Sequence, residues 1–148
     1  MKKLPNFTMQ GIDSLGVEKT YTNNDFQGKK LVIYFYPKDN TPGCTKEACN
    51  FNAILPQILA LANIVGVSGD SINSHKKFRE DHSLSFPLLS DAGLELATAL
   101  SALKDTDDGS KKVLRSTFII NESGEIIKEW YGVKVDGHDM EVLEELKK

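Results

Sequence analysis

The chain has 148 residues, 40% hydrophobic and 26% charged, with 18 basic against 21 acidic side chains, so one domain spanning residues 1–148 is expected, able to bury roughly 68–70% of its unfolded surface without staples. No basic cluster points to nucleic acid, no stretch approaches the ~18 apolar residues of a membrane span, and two cysteines with three scattered histidines make a poor zinc set. Neither a metal nor a cofactor is therefore expected.

The start, Met1-Lys2-Lys3-Leu4-Pro5-Asn6, is basic but lacks the apolar stretch of a signal peptide. A cytoplasmic setting is expected, where a disulfide is normally transient and catalytic. Phe7–Ile12 and Val17–Tyr21 flank Asp13-Ser14-Leu15-Gly16 as an N-terminal hairpin, and Asn23–Gly28 is turn chemistry. Leu31–Tyr36 is an unbroken β-branched and aromatic run, which predicts a strand buried on both faces. Pro37 stops it. Thr41 precedes Pro42, which biases Thr41 out of the helical region and suits Pro42 to the first helical position, so a helix is predicted to start there. Cys44 then lies in the first turn, where unpartnered N–H groups and the positive dipole end favour a thiolate, the nucleophilic form of cysteine. The alternative is a small buried cysteine without chemistry.

Cys49 follows five residues later. On an intact helix the two cysteines would be about 140° apart in azimuth and ~8–9 Å apart at Cα, whereas a disulfide needs Cα atoms within about 7 Å. If they pair, the helix must unwind. Otherwise Cys49 is an inert core residue. Ala48, Phe51, Ile54, Leu55, Ile58, Leu59 and Ala62 give one apolar face at helical spacing, and Pro56 inside that pattern predicts a kink or break that would ease unwinding of the Cys44 segment.

Ile64–Ser68 reads as the next buried strand, parallel to the first, followed by a helix from Ile72 to about Asp81 capped by Asp70-Ser71. His75 and His82 are expected on its solvated side. Phe86-Pro87-Leu88-Leu89 is a short edge strand or a strand start, and Ser90-Asp91 is expected to cap a helix carrying Leu94, Leu96, Ala97 and Leu100. Lys104–Lys112 reads as a charged, mobile loop. Val113–Ile120 and Ile126–Tyr131 form the clearest hairpin, which makes the sheet mixed. Arg115, placed with Val113, Thr117 and Ile119 on one face, is either an edge residue or a cation with a purpose. Trp130 and Tyr131 are expected to pack, His138 to be structural or exposed, and a last helix to begin at Asp139.

Pro37, Thr41 and Cys44 match the peroxiredoxin pattern P-x-x-x-[ST]-x-x-C, and Tyr34–Thr45 with Glu47-Ala48 resembles the bacterioferritin comigratory protein, or Q-type, subfamily. Gly66-Val67-Ser68, Phe86–Asp91 and Arg115–Ile120 are similar to its later landmarks. The resemblance implies an α/β thioredoxin-like fold with a mixed central sheet flanked by helices. It also implies a peroxidatic Cys44, with Thr41 binding the peroxide, Pro37 shielding the sulfur, Arg115 holding the thiolate and Glu47 orienting Arg115. Cys49 would be the resolving cysteine. Peroxide substrates and a thioredoxin or similar thiol reductant are implied with it, and a state that in this subfamily is usually a monomer and sometimes a dimer. The pattern departs at Ala99-Leu100, where relatives often carry Tyr-Gly, and residues 101–112 match nothing recognised.

Two other classes compete. One is a non-enzymatic redox sensor or stress-binding protein using the same cysteine pair. The other, a general disulfide oxidoreductase, is disfavoured by the absence of C-x-x-C.

Overall fold

A computed structural model describes residues 2–148. Its centre is a seven-stranded mixed sheet whose strands lie in the order β2 (Glu18–Thr22), β1 (Thr8–Ile12), β5 (Leu88–Ser90), β4 (Ala62–Ser68), β3 (Lys30–Phe35), β8 (Ser116–Ile120), β9 (Ile126–Tyr131). The strand read from the apolar run, β3 (Lys30–Phe35), pairs in parallel with β4 (Ala62–Ser68) and antiparallel with β8 (Ser116–Ile120). With strands on both sides, β3 has no free edge. Val32, Tyr34 and Tyr36 pack into one core and Leu31, Ile33 and Phe35 into another, which is why the run carries no polar alternation.

The first core lies under α1 (Pro42–Ala53), α2 (Leu55–Leu59), α3 (Ile72–His82) and α5 (His138–Leu146), which contribute Phe51, Ile58, Phe78 and Leu143 among others. The second is closed by α4 (Glu95–Ala99) and the N-terminal segment, through Leu96, Leu4 and Phe26. The expected N-terminal hairpin is present as β1 (Thr8–Ile12) and β2 (Glu18–Thr22). β5 (Leu88–Ser90) is an interior strand, and Pro87 stands just before it, the strand-start alternative. The break expected at Pro56 falls between α1 and α2, at Ile54 (φ −109°, ψ 16°).

Several expectations need correction. Residues 104–112 are not a featureless loop: β6 (Leu103–Asp105) and β7 (Lys111–Val113) form a separate antiparallel hairpin. Consequently Val113–Ile120 is not one strand. The Leu114 N–H turns to the Ala102 carbonyl at 2.8 Å, and β8, which pairs with β9 (Ile126–Tyr131), starts only at Ser116. Arg115 sits in that break, off the strand face assigned to it. The Asp91 carboxylate does cap a helix, accepting from the N–H groups of Leu96 and Ala97, yet α4 begins later than expected. Tyr131 is half out of the fold, its ring edge-on to Phe118 and its hydroxyl donating to the Leu100 carbonyl. His75 is fully buried rather than solvated. Among the described residues, no helix is long and apolar enough to cross a membrane.

Candidate active site

The site forms where β3 gives way to α1, beside the break before β8. Thr41 is the residue before the helix, extended at φ −87°, ψ 154°, with Pro42 at the first helical position. Its hydroxyl does not cap the helix. It donates instead to the Lys38 carbonyl at 2.8 Å, so the N–H groups of the first turn, the positive end of the helix dipole, have no acceptor from the Thr41 side chain. Cys44 lies in that turn and is 2% exposed.

Arg115 reaches the sulfur from just before β8, the strand paired with β3. Its Nη2 is 3.4 Å from Cys44 Sγ, and its Nη1 donates to Glu47 Oε1 at 2.7 Å. One guanidinium therefore bridges the thiol and a carboxylate one helical turn further on. Gly43 makes room for it: a Cβ there would stand 3.2 Å from Arg115 Nη2. Burial opposes the charge on Arg115, but Glu47 and Cys44 together outweigh it and raise its pKa. Glu47 is different. Burial pushes its carboxyl up to about 7 against the pull of Arg115, because Oε1 has the guanidinium while Oε2 is buried with no partner.

Of the residues expected at the site, Cys44, Arg115 and Glu47 are in direct contact. Thr41 joins them through the backbone, its carbonyl accepting from the Thr45 N–H at 2.8 Å. Pro37 is at the strand-to-helix corner and exposed. Cys49 is on α1 but exposed, away from the buried cluster, and both thiols are free. This is the arrangement in which pairing would require α1 to unwind.

Sequence reasoning missed a polar cluster behind the loop, in which buried Tyr36, Asp39 and His75 meet the half-buried Asp70 and Ser74. Spacing could have revealed His75, since it lies three residues from both Ile72 and Phe78 and so shares their inward face. Asp39, Asp70 and His75 bring ligand-type atoms within 4.8 Å of one another. Those atoms are, however, engaged with one another and with Ser68, Ser74, Tyr36 and backbone groups.

The chain is similar to known proteins over most of its length. The model of the AhpC/TSA family matches residues 1–129. Peroxiredoxin Bcp of Bacillus subtilis is 43% identical over 150 aligned positions, covering 99% of this chain and 93% of that protein. Peroxiredoxin Bcp of Xanthomonas campestris is 47% identical over 124, covering 81% and 78%. Among solved structures, a cysteine-to-serine mutant of Xylella fastidiosa PrxQ superposes with a TM-score of 0.89 at 38% identity, over 97% of this chain and 89% of its own. The thioredoxin-like fold and the family expected from the motif both hold. A buried cysteine at a helix start, met by an arginine from the start of the neighbouring strand, is thus found in a chain that belongs to the AhpC/TSA family, among its Bcp/PrxQ peroxiredoxins.

Proposed function

We propose that this peroxiredoxin is a thiol-dependent peroxidase in which Cys44 is the nucleophile and Cys49 the resolving thiol. The Cys44 thiolate attacks the terminal oxygen of a hydroperoxide ROOH. An S–O bond forms as the O–O bond breaks, the proton of ROOH and the departing RO⁻ leave as ROH, and Cys44 is left as the sulfenate, which takes back from solvent the proton its thiol had released and becomes sulfenic acid. α1 then unwinds, the Cys49 thiol displaces the sulfenic oxygen as water, and the disulfide is reduced by a dithiol of the thioredoxin type. Fast resolution protects Cys44 from irreversible sulfinic acid.

The observation that carries this reading is the Arg115 guanidinium 3.4 Å from Cys44 Sγ, braced by Glu47. A cation so placed favours the thiolate and the charge that develops as the O–O bond breaks. Thr41 would accept a hydrogen bond from the peroxide, and Pro37, at the corner, would limit water at the sulfur. Organic hydroperoxides are included because a related Xanthomonas campestris bacterioferritin comigratory protein structure, with a TM-score of 0.86 at 39% identity, was described for alkyl peroxide reduction.

Stopped-flow reduction of hydrogen peroxide and an organic hydroperoxide tests the reading. Cys44→Ser is expected to abolish turnover, and peroxide-treated Cys49→Ser to carry sulfenic or sulfinic Cys44 by mass spectrometry. Turnover by Cys44→Ser would refute it. A single fast oxidation with no sustained turnover on any thiol reductant would instead identify a redox sensor.

A further inference from the structure

His75 lies in the middle of α3, fully buried. Its Nδ1 is 2.7 Å from Asp39 Oδ2 and its Nε2 is 2.9 Å from the Leu89 carbonyl. A carbonyl can only accept, so Nε2 carries a proton. The buried Asp39 carboxylate also accepts from the Tyr36 hydroxyl at 2.6 Å and the Ser74 hydroxyl at 2.8 Å. Burial first, and then the Asp39 charge, hold the Tyr36 phenol well above its ordinary value, so Tyr36 is a donor. Two hydroxyls aimed at one carboxyl leave it a single proton to share with the ring, along the Nδ1–Oδ2 contact. That contact is buried on both sides and fixes the ring and the carboxyl relative to each other.

What this pair holds is the approach to Thr41. The Asp39 N–H donates to Asp70 Oδ2 at 2.8 Å, and the carbonyl of the same peptide unit, that of Lys38, accepts the Thr41 hydroxyl. With its proton committed there, Thr41 Oγ is left to act as an acceptor. Asn40 between them is left-handed (φ 59°), its amide held by His82 and Asp81 at the end of α3. The segment from Asp39 to Thr41 is therefore gripped by a helix on the other side of β4 from Arg115.

We propose that His75, acting through Asp39, is a positioning residue for the peroxide step. Its two hydrogen bonds fix the Lys38–Asp39 peptide unit, and through it the direction of the Thr41 hydroxyl. This rests on the reading of Cys44 and Thr41 given above. The test compares two reactions of Cys44 in a Cys49→Ser background: oxidation by hydrogen peroxide, which uses the Thr41 acceptor, and alkylation by iodoacetamide, which does not. In His75→Gln, oxidation is expected to slow ten- to hundredfold, the scale of a misplaced catalytic contact, with alkylation within about twofold of the parent. Asp39→Asn with His75→Gln is expected to be no slower than the worse single variant, because both act through one contact. Nitrogen NMR of the parent protein is expected to show the Nε2 proton of His75 held in slow exchange with solvent, a measurement that needs no variant to fold. Oxidation of His75→Gln within twofold of the parent, equal loss of both reactions, or a His75 ring proton exchanging freely with solvent would each overturn the proposal. A parent Cys44 inert to peroxide would instead refute the reading of the site itself.

Discussion

Arg115 does two jobs with one planar group, and both depend on its fork. Nη1 serves Glu47 while Nη2 serves the sulfur, a division that a single ammonium cannot reproduce in fixed geometry. Arg115→Ala removes a charge-assisted hydrogen bond to Sγ, worth about 1.5–3 kcal/mol, and is expected to lower kcat/KM for peroxide ten- to hundredfold. Arg115→Lys should fall between the two. If Arg115→Ala reduced peroxide at the parental rate in stopped-flow measurements, the guanidinium would be structural only. The motif around Cys44 made the sulfur legible in the sequence, and the resemblance gave Arg115 its role. Its local structure was not legible. Val113, Arg115, Thr117 and Ile119 alternate as one strand would, and only the Leu114 N–H turning to the Ala102 carbonyl breaks that strand.

α1 is tethered unequally along its length. Toward its end, Phe51 is fully buried against Tyr34 and His138, and the Asn52 amide bonds the Ser83 carbonyl and the Ser85 N–H. Toward its start, the ties beyond Cys44 and Glu47 include an exposed ion pair between Lys46 and Asp136, a kind of contact that contributes little. The part that must unwind for Cys44 and Cys49 to meet is thus held chiefly by the Arg115 contacts to Cys44 and Glu47, with Phe51 and Asn52 as its fixed end. Behind that end, the break at Ile54 separates α1 from α2, and Pro56 cannot donate the hydrogen bond that would fuse them. Pro56→Ala is expected to extend α1, raise hydrogen-exchange protection across residues 44–52 of the reduced protein and slow disulfide formation after peroxide. Unchanged protection there would separate Pro56 from the unwinding. This break was legible because a proline interrupts a helical pattern wherever it falls. The β6–β7 hairpin was not, because strands as polar as Leu103–Asp105 and Lys111–Val113 show no contrast between a core face and a solvent face.

Across the whole molecule, the sheet divides two cores, and the same α1–α5 side that carries the site also carries titratable groups whose folded and unfolded states bind protons differently. The layered sheet was readable from its apolar strands, whereas the Asp39–His75 pair was not, since its members are 36 residues apart and meet only once β3, β4 and α3 are assembled. Two other buried groups set how stability depends on pH. Glu47 has its carboxyl raised to about 7 by burial, so between the ordinary carboxylate range and pH 7 the folded state binds more protons than the unfolded one. Stability is then lost as pH rises through that window, by an amount on the order of 3 kcal/mol for a shift of this size. His138 works in the opposite sense. Burial lowers its pKa despite Glu141, so the unfolded state binds more protons below about pH 6.5 and stability is lost as pH falls. Glu47→Gln removes the first effect and leaves the second. Urea unfolding at pH 5, 6, 7 and 8 is expected to give a variant whose stability rises from pH 5 to 7, against a parent whose profile over the same range is flatter or falls. Parallel profiles would mean that Glu47 ionises in the folded protein as it does in the unfolded chain, and that its unpartnered Oε2 is not the cost its burial implies.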